Sequence, residues 1–137
     1  MTDAPLPHTR TDEYASRILE AVETGAPFTF GGNTANTGLI PNLPHGCCVE
    51  VTCVAARNGV TPVFAGDLPP QCAALNRTNI NVQELAVEAA LTRRRDHVYQ
   101  AALLDPHTAA ELTPDEIVSL CDDLFAAHAG WMPEYAR

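Results

Sequence analysis

Residues 47–64 read CCVEVTCVAARNGVTPVF, and this stretch decides the fold. Apolar and polar residues alternate along 47–55, which is typical of a β-strand with one buried face. Asn58-Gly59 predicts a type I′ turn, after which residues 60–64 return as the partner strand. Pro62 has no N–H to donate to the ladder, so we expect the return strand at a sheet edge.

A helix is predicted before the hairpin, over about residues 12–24. Thr11 is positioned to cap its first turn, and Gly25 stands where a C′ glycine ends a helix. Apolar residues at helical spacing define the face that we expect to be buried. They are Tyr14, Ile18, Leu19 and Val22.

The segment between this helix and the hairpin predicts short strands and a loop. Residues 28–30 and Leu39-Ile40 read as two short strands. Residues 31–38, GGNTANTG, predict a loop because glycine and asparagine tolerate positive φ.

Three helices are predicted after the hairpin, over residues 70–92, over residues 95–104 and from Thr113 onward. Thr113 and Glu116 form a capping box with proline at the first helical position, and Gly130 ends the last helix. Its expected apolar face comprises Ile117, Leu120, Cys121, Leu124 and Phe125. The predicted class is α+β, with helices packed on short antiparallel strands that include a β-hairpin.

Composition excludes several classes of protein. The 137 residues carry a net charge of −9, and all eight basic residues are arginine, which argues against nucleic acid as a partner. The run 93–95 is expected to be a solvated helix end. No apolar stretch approaches the roughly 20 residues that span a bilayer. An apolar leader is absent from residues 1–10, so we expect no membrane association and a cytoplasmic location. Five cysteines, an odd number, predict reduced thiols.

None of the motifs that carry chemistry is complete. His45, Cys47, Cys48 and Cys53 offer soft metal ligands without a second ligand pair, and the pattern favours the three cysteines as small apolar residues of a sheet. No nucleophile elbow appears. The glycines at 31–32 lack a phosphate-binding motif. Four carboxylates are candidates for glycosidase chemistry, but nothing in the sequence pairs any two of them. They are Glu50, Asp67, Glu84 and Glu88.

Two segments contain more polar side chains than their predicted structure explains. Hydrogen-bonding side chains crowd residues 33–42 and recur inside the predicted helix at 76–81. Such groups either face solvent or serve an interface with a sugar, a cofactor or another segment. The candidates for lining a substrate or cofactor site are Asn33, Asn36, Asn42, Arg77 and Asn79.

Residues 38–51, GLIPNLPHGCCVEV, resemble the C-terminal domain of glycoside hydrolase family 4, and the paired cysteines resemble its α-galactosidase branch. Four further stretches agree in order, and the similarity runs over about residues 6–133. They are TDEYAS (11–16), GDLPPQ (66–71), LNRTNINVQE (75–84) and LDPHTAA (104–110).

This resemblance implies the C-terminal domain of a lactate/malate-dehydrogenase-like α/β enzyme, whose Rossmann half is absent from the sequence. Enzymes of the family oxidise the sugar at C3 with NAD⁺, and a base then removes the C2 proton so that the C1 substituent is eliminated. Manganese polarises the C3 oxygen. The implied partners are an upstream Rossmann-type domain, a galactoside and further copies in a homo-oligomer.

In the family, the glycine-rich turn, the metal-binding Cys and His and the catalytic base all lie upstream of the matched region. No catalytic or metal residue therefore carries over, and we expect this chain alone to bind neither NAD nor Mn²⁺, to be inactive and to self-associate. The predicted domain is 11–133, between a linker at 1–10 and a tail at 134–137. Two alternatives stay open. One is a stand-alone oligomerisation or binding module, and the other is a family 4 enzyme for another sugar, such as a 6-phospho-glucoside or a glucuronide.

Overall fold

A computed structural model describes residues 13–136. Its helices and strands confirm the predicted α+β class, and the second and third helices have the predicted bounds. The elements are α1 (Ala15–Thr24), β1 (Phe28–Ala35), β2 (Cys48–Ala56), β3 (Gly59–Pro62), α2 (Pro70–Thr92), α3 (Arg95–Leu104), α4 (Thr108–Glu111) and α5 (Pro114–Ala127). The predicted linker at 1–10, the Thr11 cap and the last tail residue lie outside the described residues.

The chain divides into two compact units. Within the described residues, the first unit comprises 13–34 and 50–65, which hold α1, β3 and most of β1 and β2. The second comprises 35–49 and 66–136, which hold the loop before β2 and the four helices that follow the sheet.

The predicted hairpin is present, with a different turn. Strand β2 lies in the middle of the sheet order β1-β2-β3 and pairs antiparallel with β3, which places Pro62 on an edge strand as predicted. Ala56 pairs with Gly59, so Arg57 and Asn58 are the central turn residues. Of residues 56–59, only Gly59 has a positive φ, at 98°. A type I′ turn needs positive φ at both central positions. The predicted turn is therefore wrong: Arg57 and Asn58 are its central residues, and Gly59 follows them with a positive φ.

Strand β1 is longer than predicted because it continues through two glycines that were expected to form a loop. A Cβ atom at Gly31 would lie 2.9 Å from Glu50 Oε1, and one at Gly32 would lie 2.9 Å from Cys53 Sγ. Glycine in a strand interior often marks such a close approach. These two glycines therefore leave space for the neighbouring Glu50 and Cys53 side chains and do not form a bend.

The predicted buried face of α1 is only partly confirmed. Ala21 is buried and Ile18 and Val22 are half-buried, whereas Leu19 is 67% exposed and Tyr14 lies at the helix N-cap. The Tyr14 hydroxyl donates to the Gly31 carbonyl at 3.1 Å. Gly25 ends the helix with a φ of 83°, as predicted.

Local side-chain capping organises the helices after the sheet. Thr113 and Glu116 form the predicted capping box at α5, and the Thr113 backbone N–H holds the pKa of Glu116 below its usual value. Helix α4 was not predicted. It begins where the Asp105 carboxylate accepts the N–H groups of His107 and Thr108 at 3.1 and 2.8 Å.

The core of the second unit lies where α3 packs against α2 and α5. Its buried residues include Ile80, Ala89, Ala101, Ile117 and Cys121. The prediction for α5 was wrong at Leu120 and Leu124, which are 41% and 47% exposed, and the helix ends at Ala127, before Gly130.

The arginine run at 93–95 is only partly a solvated helix end. Arg93 ends α2 with a left-handed φ of 55°, and exposed Arg94 pairs with Asp96. Arg95 begins α3 and places its guanidinium 4.3 Å from the ring centre of Phe125, so this cation is packed rather than solvated. Among the helices at 13–136, none combines the length and apolar character that a membrane crossing requires.

Candidate functional site

Residues 36–46 form a loop, called here the asparagine loop, that precedes β2. Asn36 is fully buried, and its side-chain amide lies 2.9, 3.2 and 3.0 Å from the carbonyls of Ile40, Leu43 and Pro44. Its Oδ1 accepts the Ile40 N–H at 3.0 Å. The Asn36 side chain takes the place of the backbone hydrogen bonds that a strand would have formed here. The prediction of a strand at residues 39–40 is therefore wrong.

A second asparagine fixes this loop to the segment before α2. Asn42 Nδ2 donates to the Leu68 carbonyl at 2.7 Å, while the Leu68 N–H donates to Asn42 Oδ1 at 3.0 Å. The Gly66 N–H donates to the Leu39 carbonyl at 3.2 Å. The asparagine loop and the segment that precedes α2 are therefore held together by hydrogen bonds.

Beside the loop lies a cleft of about 490 Å³, called here the α2 cleft. One wall is the end of the loop and the start of β2, and the other is a face of α2. The lining residues are Gly46, Cys47, Cys48, Ile80, Gln83, Glu84, Val87 and Glu88. Two carboxylates one helical turn apart and an apolar floor give the cleft a mixed chemistry, and no cation lines it.

The two cysteines of the cleft differ in environment. Cys47 is buried and Cys48 is exposed, as expected for successive residues entering a strand. Burial raises the pKa of the Cys47 thiol, and the nearby Glu84 carboxylate raises it further. A hydrogen bond from Asn36 acts in the opposite direction. Cys47 is therefore a buried wall residue, whereas Cys48 is an accessible thiol.

The five polar residues predicted to line a site are dispersed. None is among the residues that line the α2 cleft. Asn33 is exposed on β1 in the first unit. Arg77 Nε donates to Asn81 Oδ1 at 2.8 Å, and Asn79 donates to the Leu75 carbonyl at 3.2 Å. Their lining role remains a prediction.

A larger cleft of about 530 Å³ lies near the C-terminal end of the described residues. Asp122, Glu134 and the aromatic residues Phe125 and Tyr135 surround Arg95 there. Asp122 lies 3.8 Å from the Arg95 guanidinium and accepts the Tyr99 hydroxyl at 2.5 Å. Because the cation already meets a carboxylate and an aromatic face, this cleft is the weaker candidate for a ligand site.

Residues 2–108 match the C-terminal domain of the family 4 glycosyl hydrolases. The chain belongs to glycoside hydrolase family 4. The α-galactosidase of Bacillus subtilis (strain 168) is 65% identical over 130 residues, which are 95% of this chain and 30% of that protein. The α-galactosidase of Rhizobium meliloti (strain 1021) is 40% identical over 128 residues, 93% of this chain and 26% of that protein.

A solved family 4 structure has the same fold. A 6-phospho-α-glucosidase from gut microorganisms, crystallised with NAD and Mn²⁺, superposes with a TM-score of 0.81 at 21% identity, covering 93% of this chain and 29% of that one. The chain therefore spans less than a third of the length of these relatives.

The residues of this family 4 domain do not fit a manganese site. Between residues 13 and 136, no three His, Cys, Asp or Glu side chains lie where they could hold a metal ion. His45 and Cys48, both exposed, are not joined by a third such ligand. The sequence contains no glycine-rich dinucleotide-binding motif either.

The face of α2 that lines this cleft was not predicted from the sequence. Glu84 and Glu88 were candidate carboxylates without a pairing, and the structure places both in the α2 cleft with Val87. Their spacing of four residues on a helix was a usable signal, because such residues share a face.

Proposed function

We propose that this chain forms the C-terminal domain, residues 11–133, of an NAD- and manganese-dependent α-galactosidase and is inactive alone. The supporting observation is the 65% identity with the Bacillus subtilis α-galactosidase along 95% of the chain. The gut-microbial relative crystallised with NAD and Mn²⁺ supports the cofactors of the whole enzyme. The preceding domain of the enzyme supplies the cofactor site, the metal ligands and the base.

The location and the substrate are part of the same proposal. All five cysteines are free thiols, which fits the reducing cytoplasm better than an oxidising compartment. A galactoside is the proposed substrate because both curated relatives described above are α-galactosidases.

The test compares the chain alone with a chimera in which it replaces the matching 30% of the Bacillus subtilis enzyme. Both are assayed with nitrophenyl α-galactoside and, separately, with a nitrophenyl 6-phospho-glucoside, in each case with NAD⁺, Mn²⁺ and a thiol reductant. We expect hydrolysis by the chimera and none above the buffer control by the chain alone. Turnover by the isolated chain would contradict its inactivity, and a folded chimera that hydrolyses only 6-phospho-glucosides would contradict the substrate.

A second candidate is a stand-alone oligomerisation module. It is favoured by exposed apolar side chains near the end of the chain, where Trp131 is 90% exposed and Leu124 is 47% exposed. Tryptophan is enriched among the residues that contribute most to binding at protein interfaces. Light scattering on the isolated chain tests this candidate: a defined dimer or tetramer that Trp131→Ala dissociates supports it, and a monomer excludes it.

A further inference from the structure

Helix α2 carries apolar side chains in several directions, including outward. Leu75, Val87 and Leu91 are 68%, 58% and 78% exposed, while Ile80 on the same helix is buried. Of its 23 residues, only Arg77, Glu84 and Glu88 are charged. A surface helix normally has a polar outer face, so the three exposed apolar side chains depart from the usual pattern.

The exposed apolar residues continue into the α2 cleft. Val87 lines the cleft, and Leu91 follows it by one helical turn. Glu84 and Glu88 supply two carboxylates, and Cys48 supplies an accessible thiol on the opposite wall. The volume of about 490 Å³ is enough for a few inserted side chains. The surface is therefore an apolar hollow with an acidic rim.

We propose that the α2 cleft, together with Leu91, is the docking site for a segment of the preceding part of the family 4 enzyme. The segment presents an apolar side chain flanked by arginine or lysine. This inference rests on the proposed function. It draws on the finding that the Bacillus subtilis relative extends far beyond the 30% of its length that this chain matches.

Charge favours such a segment over a second copy of the chain. In a two-fold symmetric contact through this cleft, the same patch of each copy takes part, so the Glu84 and Glu88 carboxylates of two copies would be brought close together. Like charges at close range are repulsive, and the chain already carries a net charge of −9. A basic segment instead neutralises the rim while its apolar side chain covers Val87.

Cys48 provides a native probe of docking. The chimera described above and the isolated chain are treated with a thiol reagent, and labelling at Cys48 is followed by peptide mass spectrometry. We expect labelling in the chimera to be at least about tenfold slower, because a thiol must reach solvent to react. Equal rates in the two folded proteins would overturn the proposal.

A Val87→Glu variant of the chimera places a third carboxylate in the cleft. We expect it to restore rapid labelling of Cys48 and to lower the melting temperature of the chimera, while the unfolding of the isolated chain changes little. The matched control is Leu19→Glu, at a similarly exposed apolar residue on α1. Equal effects of the two variants on Cys48 would count against the cleft.

The outcomes separate docking from catalysis. Protection of Cys48 in a folded chimera without galactosidase activity would retain the docking site and reject the proposed function. Protection that instead grows with the concentration of the isolated chain would identify a second copy as the occupant and overturn the proposal.

Discussion

In the asparagine loop, polar side chains are bound by neighbouring backbone groups, whereas on α2 apolar side chains face outward. Asn36 is fully buried among carbonyls, and Asn42 pairs with both backbone groups of Leu68. On α2, by contrast, Leu75 and Leu91 are more than two thirds exposed. Both regions belong to the same unit.

The difference shows which region is complete within this chain. Buried polar groups are costly unless they are hydrogen-bonded, and the loop meets that requirement internally. Exposed leucines gain nothing from their position in the isolated chain, because apolar surface is stabilising only when it is removed from water. The loop is a finished structural element, whereas α2 presents a surface suited to a partner.

The largest expected effect comes from Asn36→Ala, which removes the centre of the loop. It leaves the Ile40 N–H and three carbonyls without their partner, so we expect the free energy of unfolding to fall by about 3 kcal/mol. Urea unfolding followed by circular dichroism measures the change. Asn33→Ala, at an exposed position of β1, is the control, and we expect it to change the free energy of unfolding by no more than about 0.5 kcal/mol. Similar losses in both variants would mean that the loop is not held from within.

A smaller effect is expected for Asn42→Ala, because its two hydrogen bonds to Leu68 are exposed to solvent. We expect a loss of about 1 kcal/mol. Asn79→Ala on α2 is the matched control and should be neutral or stabilising, since alanine has the higher helix propensity. If Asn79→Ala lowered the free energy of unfolding more than Asn42→Ala, the asparagine loop would not be held more firmly by its side chains than α2 is.

Local signals in the sequence account for much of this fold. The bounds of α2 and α3 follow from their flanking prolines, arginines and aspartate, and the capping box of α5 depends on Thr113 and Glu116 alone. The hairpin was also predictable, but its turn type was not. An Asn-Gly pair fits more than one turn, and the pairing of Ala56 with Gly59 selects among them.

The parts of the fold that could not be predicted from the sequence depend on contacts between residues that are distant along the chain. The extension of β1 depends on Glu50 and Cys53 approaching two glycines, which residues 28–35 do not reveal. The role of Asn36 depends on three carbonyls that a loop conformation brings together. The face of α2 was missed because apolar residues on a helix predict burial without stating what covers them.

The smallest expected effect is that of a substitution at an exposed apolar residue of α2. Leu91→Gln changes a residue that is 78% exposed, so we expect the unfolding free energy of the isolated chain to shift by no more than about 0.5 kcal/mol. Ile80→Ala, at a buried position of the same helix, should cost about 3 kcal/mol. Urea unfolding of both variants at several protein concentrations gives the comparison.

If Leu91→Gln lowered the free energy of unfolding as much as Ile80→Ala, Leu91 would already be covered in the isolated chain. A dependence of that cost on protein concentration would identify the cover as a second copy, and α2 would then be as complete as the loop.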